Sequence, residues 1–134
     1  MSAPRPVPHP TPLSAPYWEG ARHGRLLLQR CGRCGMVRHY PQLLCRRCQC
    51  DEVEWIESTR RGTAHSWTVA HHAFHPAFAE DTPYTLVIAD MEEGVRMMGR
   101  YVGQTPLRLG LPLRLDFEPD SRDTPVPVFR PAQD

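Results

Sequence analysis

Cys31-Gly32-Arg33-Cys34 and Cys45-Arg46-Arg47-Cys48, with ten residues between them, are the stretches whose reading decides the fold. Each C-x-x-C pair lets a tight turn aim two sulfurs at one ion, and two such turns complete a tetrahedral set of four thiolates. Zinc suits that set. Iron is the alternative, since the same geometry accepts it, but nothing else in the chain points to electron transfer. Four thiolates leave no open position for an activated water, so the ion is expected to be structural. Its binding free energy, on the order of 10 kcal/mol, would then be folding free energy for a module too small to hold itself together by burial. Cys50 is left over, and the symmetry of the pairs makes Cys31, Cys34, Cys45 and Cys48 the expected ligands.

The whole chain has 134 residues, 40% of them hydrophobic, which is room for one compact domain or two small modules sharing a core. All 16 basic residues are arginine, so no lysine is present for Schiff-base chemistry. The first residues lack the pattern of a secretory signal, and the apolar runs are too short to cross a bilayer. A soluble, cytoplasmic protein is expected, and in a reducing compartment five clustered cysteines point to metal rather than disulfides. Residues 25–50 contain six arginines and no acid, whereas residues 51–120 contain six arginines against twelve acids, so the stretches carry +6 and 6 − 12 = −6.

Upstream of the cysteines, residues 1–13 alternate proline and predict an extended arm. Ser14 as cap, Pro16 in the first turn and Gly24 just past the end predict a short helix of about three turns with Tyr17, Trp18 and Ala21 near one side. Downstream, residues 53–57, 63–71, 84–91, 95–102 and 111–117 have strand patterns, with Glu92-Glu93-Gly94 as a hairpin turn. The period-2 pattern puts His65, Trp67 and His71 on one face and His72 on the other. Five short strands without a long helix between them suggest a small barrel, best fitted by an OB-like one, with an SH3-like barrel or small sandwich as alternatives. The chain is therefore expected to be mainly β: an arm at 1–13, a short N-terminal helix and zinc ribbon at 14–50, a five-stranded OB-fold barrel at 51–120, and a tail at 121–134.

A single-strand-binding barrel needs a basic groove with aromatic stacking platforms. The −6 of the barrel segment, and the core-compatible positions of most of its aromatics, argue against that role. No nucleophile, base or acidic orienter stands at a recognisable spacing around the histidines, so they read first as surface residues.

The arrangement resembles the small zinc-ribbon/OB-fold proteins associated with acyl-CoA enzymes. The resemblance is carried by Pro16-Tyr17-Trp18-Glu19-Gly20, by Gly24-Arg25-Leu26-Leu27-Leu28-Gln29-Arg30-Cys31 and the second cysteine pair, by Arg61-Gly62-Thr63-Ala64-His65-Ser66-Trp67-Thr68-Val69, by Pro83-Tyr84, and by Gly110-Leu111-Pro112-Leu113. It implies a rubredoxin-like zinc ribbon preceded by a helix, a C-terminal OB fold, and a noncatalytic accessory subunit. Such a subunit docks in a hetero-oligomer on a thiolase-like enzyme (thiolase, aldolase or acyltransferase) and helps organise or channel its acyl-CoA. Arg60, Arg61, His71, His72 and Phe74, flanking the Trp67 strand, are the expected ligand or partner contacts. The alternatives are a single-stranded nucleic-acid-binding zinc-ribbon/OB module and an enzyme acting alone through the histidine-rich loop.

Overall fold

The computed structural model describes residues 4–119 and 125–133, and the ends of the arm and tail at 1–3, 120–124 and 134 lie outside them. One helix, α1 (Ala15–Arg22), precedes a three-stranded sheet of β1 (Leu27–Cys31), β2 (Val37–Arg38) and β3 (Val53–Glu57) in the order β2-β1-β3. Pro16 opens the helix and Gly24, at φ +71°, ends it, as expected. Ser14 does not cap it. Its backbone is already helical (φ −94°, ψ −6°), and its Oγ instead accepts the Thr11 backbone N–H at 2.9 Å. Tyr17 is the buried anchor of α1, with the half-buried Trp18 edge-on to it at 4.9 Å.

The second unit is a closed barrel with strand order β4-β5-β6-β8-β7, formed by β4 (Arg61–Ala70), β5 (Tyr84–Met91), β6 (Arg96–Tyr101), β7 (Pro112–Pro119) and β8 (Pro125–Pro131). Every neighbouring pair is antiparallel except β6 with β8, which is parallel. The hairpin turn lies where expected, with Gly94 at φ +88° and its N–H on the Met91 carbonyl at 2.9 Å. Leu111, just before β7, and Leu113 and Leu115 within it alternate inward and are buried. They meet Val87, Met97 and Phe129, and this core continues without a break into Tyr17, Leu26 and Leu28 beneath the ribbon sheet.

Two strand assignments are corrected. Val53–Glu57 is not a barrel strand, because it pairs with β1 from Leu27↔Glu57 to Cys31↔Val53. Opposite charges favour that register: Arg30 Nε lies 2.6 Å from Glu54 Oε1, and Arg25 Nε lies 3.7 Å from Glu57. The fifth barrel strand is β8, in the stretch expected to be tail. Its three prolines hide it from strand propensity, yet it pairs with β7 along its length, from Leu113↔Pro131 to Pro119↔Pro125, and buries Val128 and Phe129.

A further correction concerns face parity in β4. The register against β5 shifts between Ala64 and Ser66, a bulge that breaks the simple alternation, and the strand ends at Ala70, so His71 lies outside it. Among the described residues no helix is long and apolar enough to cross a membrane.

Candidate functional site

The two cysteine turns are copies of one another. Cys31 Sγ accepts the backbone N–H groups of Arg33 and Cys34 at 3.4 Å each, and Cys45 Sγ accepts that of Arg47 at 3.4 Å. The Cys31 carbonyl takes the N–H of Gly35 at 3.0 Å, and the Cys45 carbonyl takes that of Gln49 at 2.7 Å. The fifth residue of each turn is left-handed, Gly35 at φ +79° and Gln49 at φ +61°. Gly32 serves differently, since a Cβ there would come within 3.1 Å of Glu52.

The four sulfurs of Cys31, Cys34, Cys45 and Cys48 lie within 4.8 Å of one another, with Cys31–Cys48 at 3.5 Å and Cys34–Cys45 at 3.6 Å. A tetrahedron with Zn–S bonds of about 2.3 Å has edges of about 3.8 Å, so the set fits zinc, and the separations are far beyond a disulfide bond. Two of the thiols, those of Cys31 and Cys45, are already prepared for ionisation. Backbone N–H groups of Cys34 and Arg33 hold the Cys31 thiol down to about 6, and those of Cys48 and Arg47 act in the same direction on Cys45. Cys48 receives a lowering N–H from Cys50, but burial and the sulfurs of Cys31, Cys34 and Cys45 outweigh it and push the thiol up to about 12. A divalent cation at the centre removes that mutual repulsion. Cys50 stands apart, its sulfur accepting the Glu52 N–H at 3.3 Å.

The expected contact residues fall into two groups. Arg60 and Arg61 lie at the start of β4, where Arg60 Nη1 is 3.6 Å from Asp116, and Arg61 pairs with Arg114 of β7. His71, His72 and Phe74 follow the other end of the strand, with Phe74 87% exposed and edge-on to His72 at 4.6 Å. Ten residues of strand, roughly 30 Å, separate the groups, so they do not form one cluster. His75 has a local task, its Nδ1 accepting the Ala77 N–H at 3.0 Å, while His65 Nδ1 lies 3.4 Å from Asp90.

Residues 18–54 match the ChsH2 rubredoxin-like zinc ribbon domain, and residues 55–118 match the ChsH2 C-terminal OB-fold domain. A chain of the solved structure "Ltp2-ChsH2(DUF35) aldolase" is 35% identical, with a TM-score of 0.83 covering 93% of this chain and 98% of that one. The chain belongs to the ChsH2 family. Relatives of this ChsH2-family chain include a "Probable enoyl-CoA hydratase alpha subunit" of Thermomonospora curvata, 36% identical over 96% of the present chain, and the "3-oxo-4,17-pregnadiene-20-carboxyl-CoA hydratase alpha subunit" of Mycobacterium tuberculosis, 30% identical over 75%. The chain spans only 40% and 32% of the lengths of those two proteins. A "DUF35 domain-containing scaffold protein" of Methanocaldococcus jannaschii is 32% identical over 58% of this chain and 55% of its own. A DUF35 structure from Sulfolobus solfataricus, 13% identical with a TM-score of 0.58 over 78% of this chain and 77% of that one, shares the fold.

For this ChsH2-family chain, sequence reading missed three polar features. Arg38 is buried, donating Nε to Gln29 Oε1 at 2.6 Å and Nη2 to the Gln42 carbonyl at 3.0 Å, whereas the sequence reading counts it only as one of six arginines in the +6 stretch. His39 packs between Tyr17 and Tyr40, and burial lowers its imidazole to about 4. Arg5 of the arm reaches Asp81 and lies over the Phe78 ring. The alternation of proline masked that last contact, because an extended arm leaves no periodic trace of what it lies against.

Proposed function

We propose that this chain is a noncatalytic accessory subunit that docks on a thiolase-like enzyme and helps organise or channel its acyl-CoA substrate. The observation that carries the reading is its full-length likeness to a ChsH2 chain in a structure whose name pairs ChsH2 with an aldolase. The names of the relatives support a CoA thioester as the shared substrate class. They also favour a second reading in which the partner is a CoA hydratase, with the hydratase chemistry in the part of those longer proteins that this chain does not span.

The ribbon fixes the shape of the subunit through structural zinc, a role suited to the reducing cytoplasm. Docking would use the exposed Phe74 with His71 and His72 at one end of β4, and Arg60 with Arg61 at the other. Arg33, Arg46 and Arg47 on the cysteine turns are exposed and make no ion pair among the described residues, a basic patch suited to an acidic partner surface. The test is partner affinity by surface plasmon resonance with Phe74→Ala and the double change Arg60→Ala, Arg61→Ala. Each is expected to weaken binding about tenfold or more. Unchanged affinity and unchanged complex activity with both would refute the contact assignment.

A further inference from the structure

β4 leaves part of one sheet edge open. β7 pairs with it only at 61–63, and the last hydrogen bonds on that side join Ala64 to Gly110 and Leu111, at 2.9 Å each. Residues 66–70 pair with β5 alone. Among the described residues nothing bonds to their other side, so its backbone N–H and C=O groups are a template for a further strand.

Proteins commonly blunt such an edge with charge or proline. Ser66, Trp67, Thr68, Val69 and Ala70 offer neither. Trp67 and Val69 are 38% and 45% exposed. Phe74, shortly past the end of the strand, and Leu109, next to the Gly110 that bonds to Ala64, are the two most exposed large apolar side chains among the described residues, at 87% and 73%. A single exposed apolar residue needs no account, but four around one open edge point to something that covers them.

The side chains indicate the occupant. Antiparallel pairing about a two-fold axis at Thr68 sets Thr68 opposite Thr68 of the other copy, Trp67 opposite Val69, and Ser66 opposite Ala70. Threonine with threonine and an aromatic with a β-branched residue are favourable cross-strand pairs, and no like charges meet. The lengths agree as well. Each β4 ends at Ala70, short of the 109–111 segment that covers the other copy's edge up to Ala64. Each Phe74 then comes towards Leu109 of the other copy.

We propose that residues 66–70 pair with the same residues of a second copy of this chain, joining two barrels through one continuous sheet in an isologous dimer. The inference goes beyond the accessory role and does not rest on it. An extended segment of the enzyme partner is the rival occupant of the edge.

The experiment is light scattering behind gel filtration on the zinc-loaded full chain, over a series of micromolar concentrations. A mass rising to twice 15.3 kDa is expected. Val69→Lys puts a charge opposite Trp67 and should weaken self-association at least about tenfold, since a two-fold contact carries each substitution twice. Unchanged circular dichroism shows that the variant is folded. In a Cys50→Ser background, which removes the thiol outside the metal set, Thr68→Cys should give a disulfide-linked dimer on mild oxidation, because directly opposed residues lie within disulfide reach. Ser66→Cys should not, as four residues of strand, roughly 13 Å, separate its two copies. A monomer at every concentration, a dimer indifferent to Val69→Lys, or equal cross-linking at both positions would overturn the proposal. So would a monomer whose Val69→Lys form no longer binds the partner enzyme, which assigns the edge to an enzyme segment. The accessory role is read from partner binding and complex activity, and it stands or falls separately.

Discussion

His39 and the four metal-site cysteines show how single side chains set the conditions under which this fold survives. In the folded chain, burial depresses the His39 imidazole from 6.5 to about 4, so the folded state keeps it neutral. Above 6.5 both folded and unfolded chains hold the neutral form, and the full stability is present. As pH falls from 6.5 to 4, the unfolded chain takes up a proton that the folded chain refuses, and stability on the order of 3 kcal/mol is lost. Thermal melts across that window should therefore be steeper in pH for wild type than for His39→Phe; identical slopes would contradict the assignment. Gly35 and Gln49 show what was readable at this scale. The spacing revealed both turns and all four sulfurs, but only one turn advertises its left-handed residue with a glycine. The burial of Arg38 and His39 left no mark in the sequence, because it arises from packing by residues distant along the chain.

At the scale of elements, the ribbon depends on its ion and the barrel on its last strand. Cys34→Ser, or removal of metal by a strong chelator, is expected to unfold residues 27–57 as measured by circular dichroism and melting, since too little apolar surface lies in that sheet to replace four metal–sulfur bonds. A metal-free chain with unchanged spectrum and melting would refute the structural role. In the barrel, Phe129 of β8 is fully buried against Gly99, where an added Cβ would meet its ring at 3.0 Å. Phe129→Ala should cost roughly 3–5 kcal/mol in denaturant unfolding. A loss below 1 kcal/mol would mean that β8 is dispensable to the barrel. Four of the barrel strands were legible, β5, β6 and β7 through hydrophobic patterning and turn glycine, and β4 in place although its bulge was not. β8 was not legible, because Pro125, Pro127 and Pro131 outweigh its few apolar residues in any local reading, and closure of the barrel decides the matter only in three dimensions. β3 was found as a strand and assigned to the wrong sheet, since partner choice depends on pairing with β1 that no local pattern encodes.

Across the whole molecule, the charge map changes when it is counted by sheet. Residues 25–57 hold six arginines against four acids, 6 − 4 = +2, and residues 58–134 hold eight arginines against ten acids, 8 − 10 = −2. The apparent contrast between a basic ribbon and an acidic barrel is largely spent inside one sheet, where Arg25 and Arg30 face Glu57 and Glu54. Net charge therefore does not decide against nucleic acid, and the weight of the functional reading falls on family membership and on local surfaces. The most direct test is acyl-CoA turnover by the purified chain alone, by the proposed thiolase-like partner enzyme alone, and by the two together. No turnover by the chain alone, with a stable complex and activity that requires or is strongly raised by the chain, is the predicted result. Turnover by the chain alone, or an enzyme that neither binds the chain nor responds to it, would contradict the accessory role.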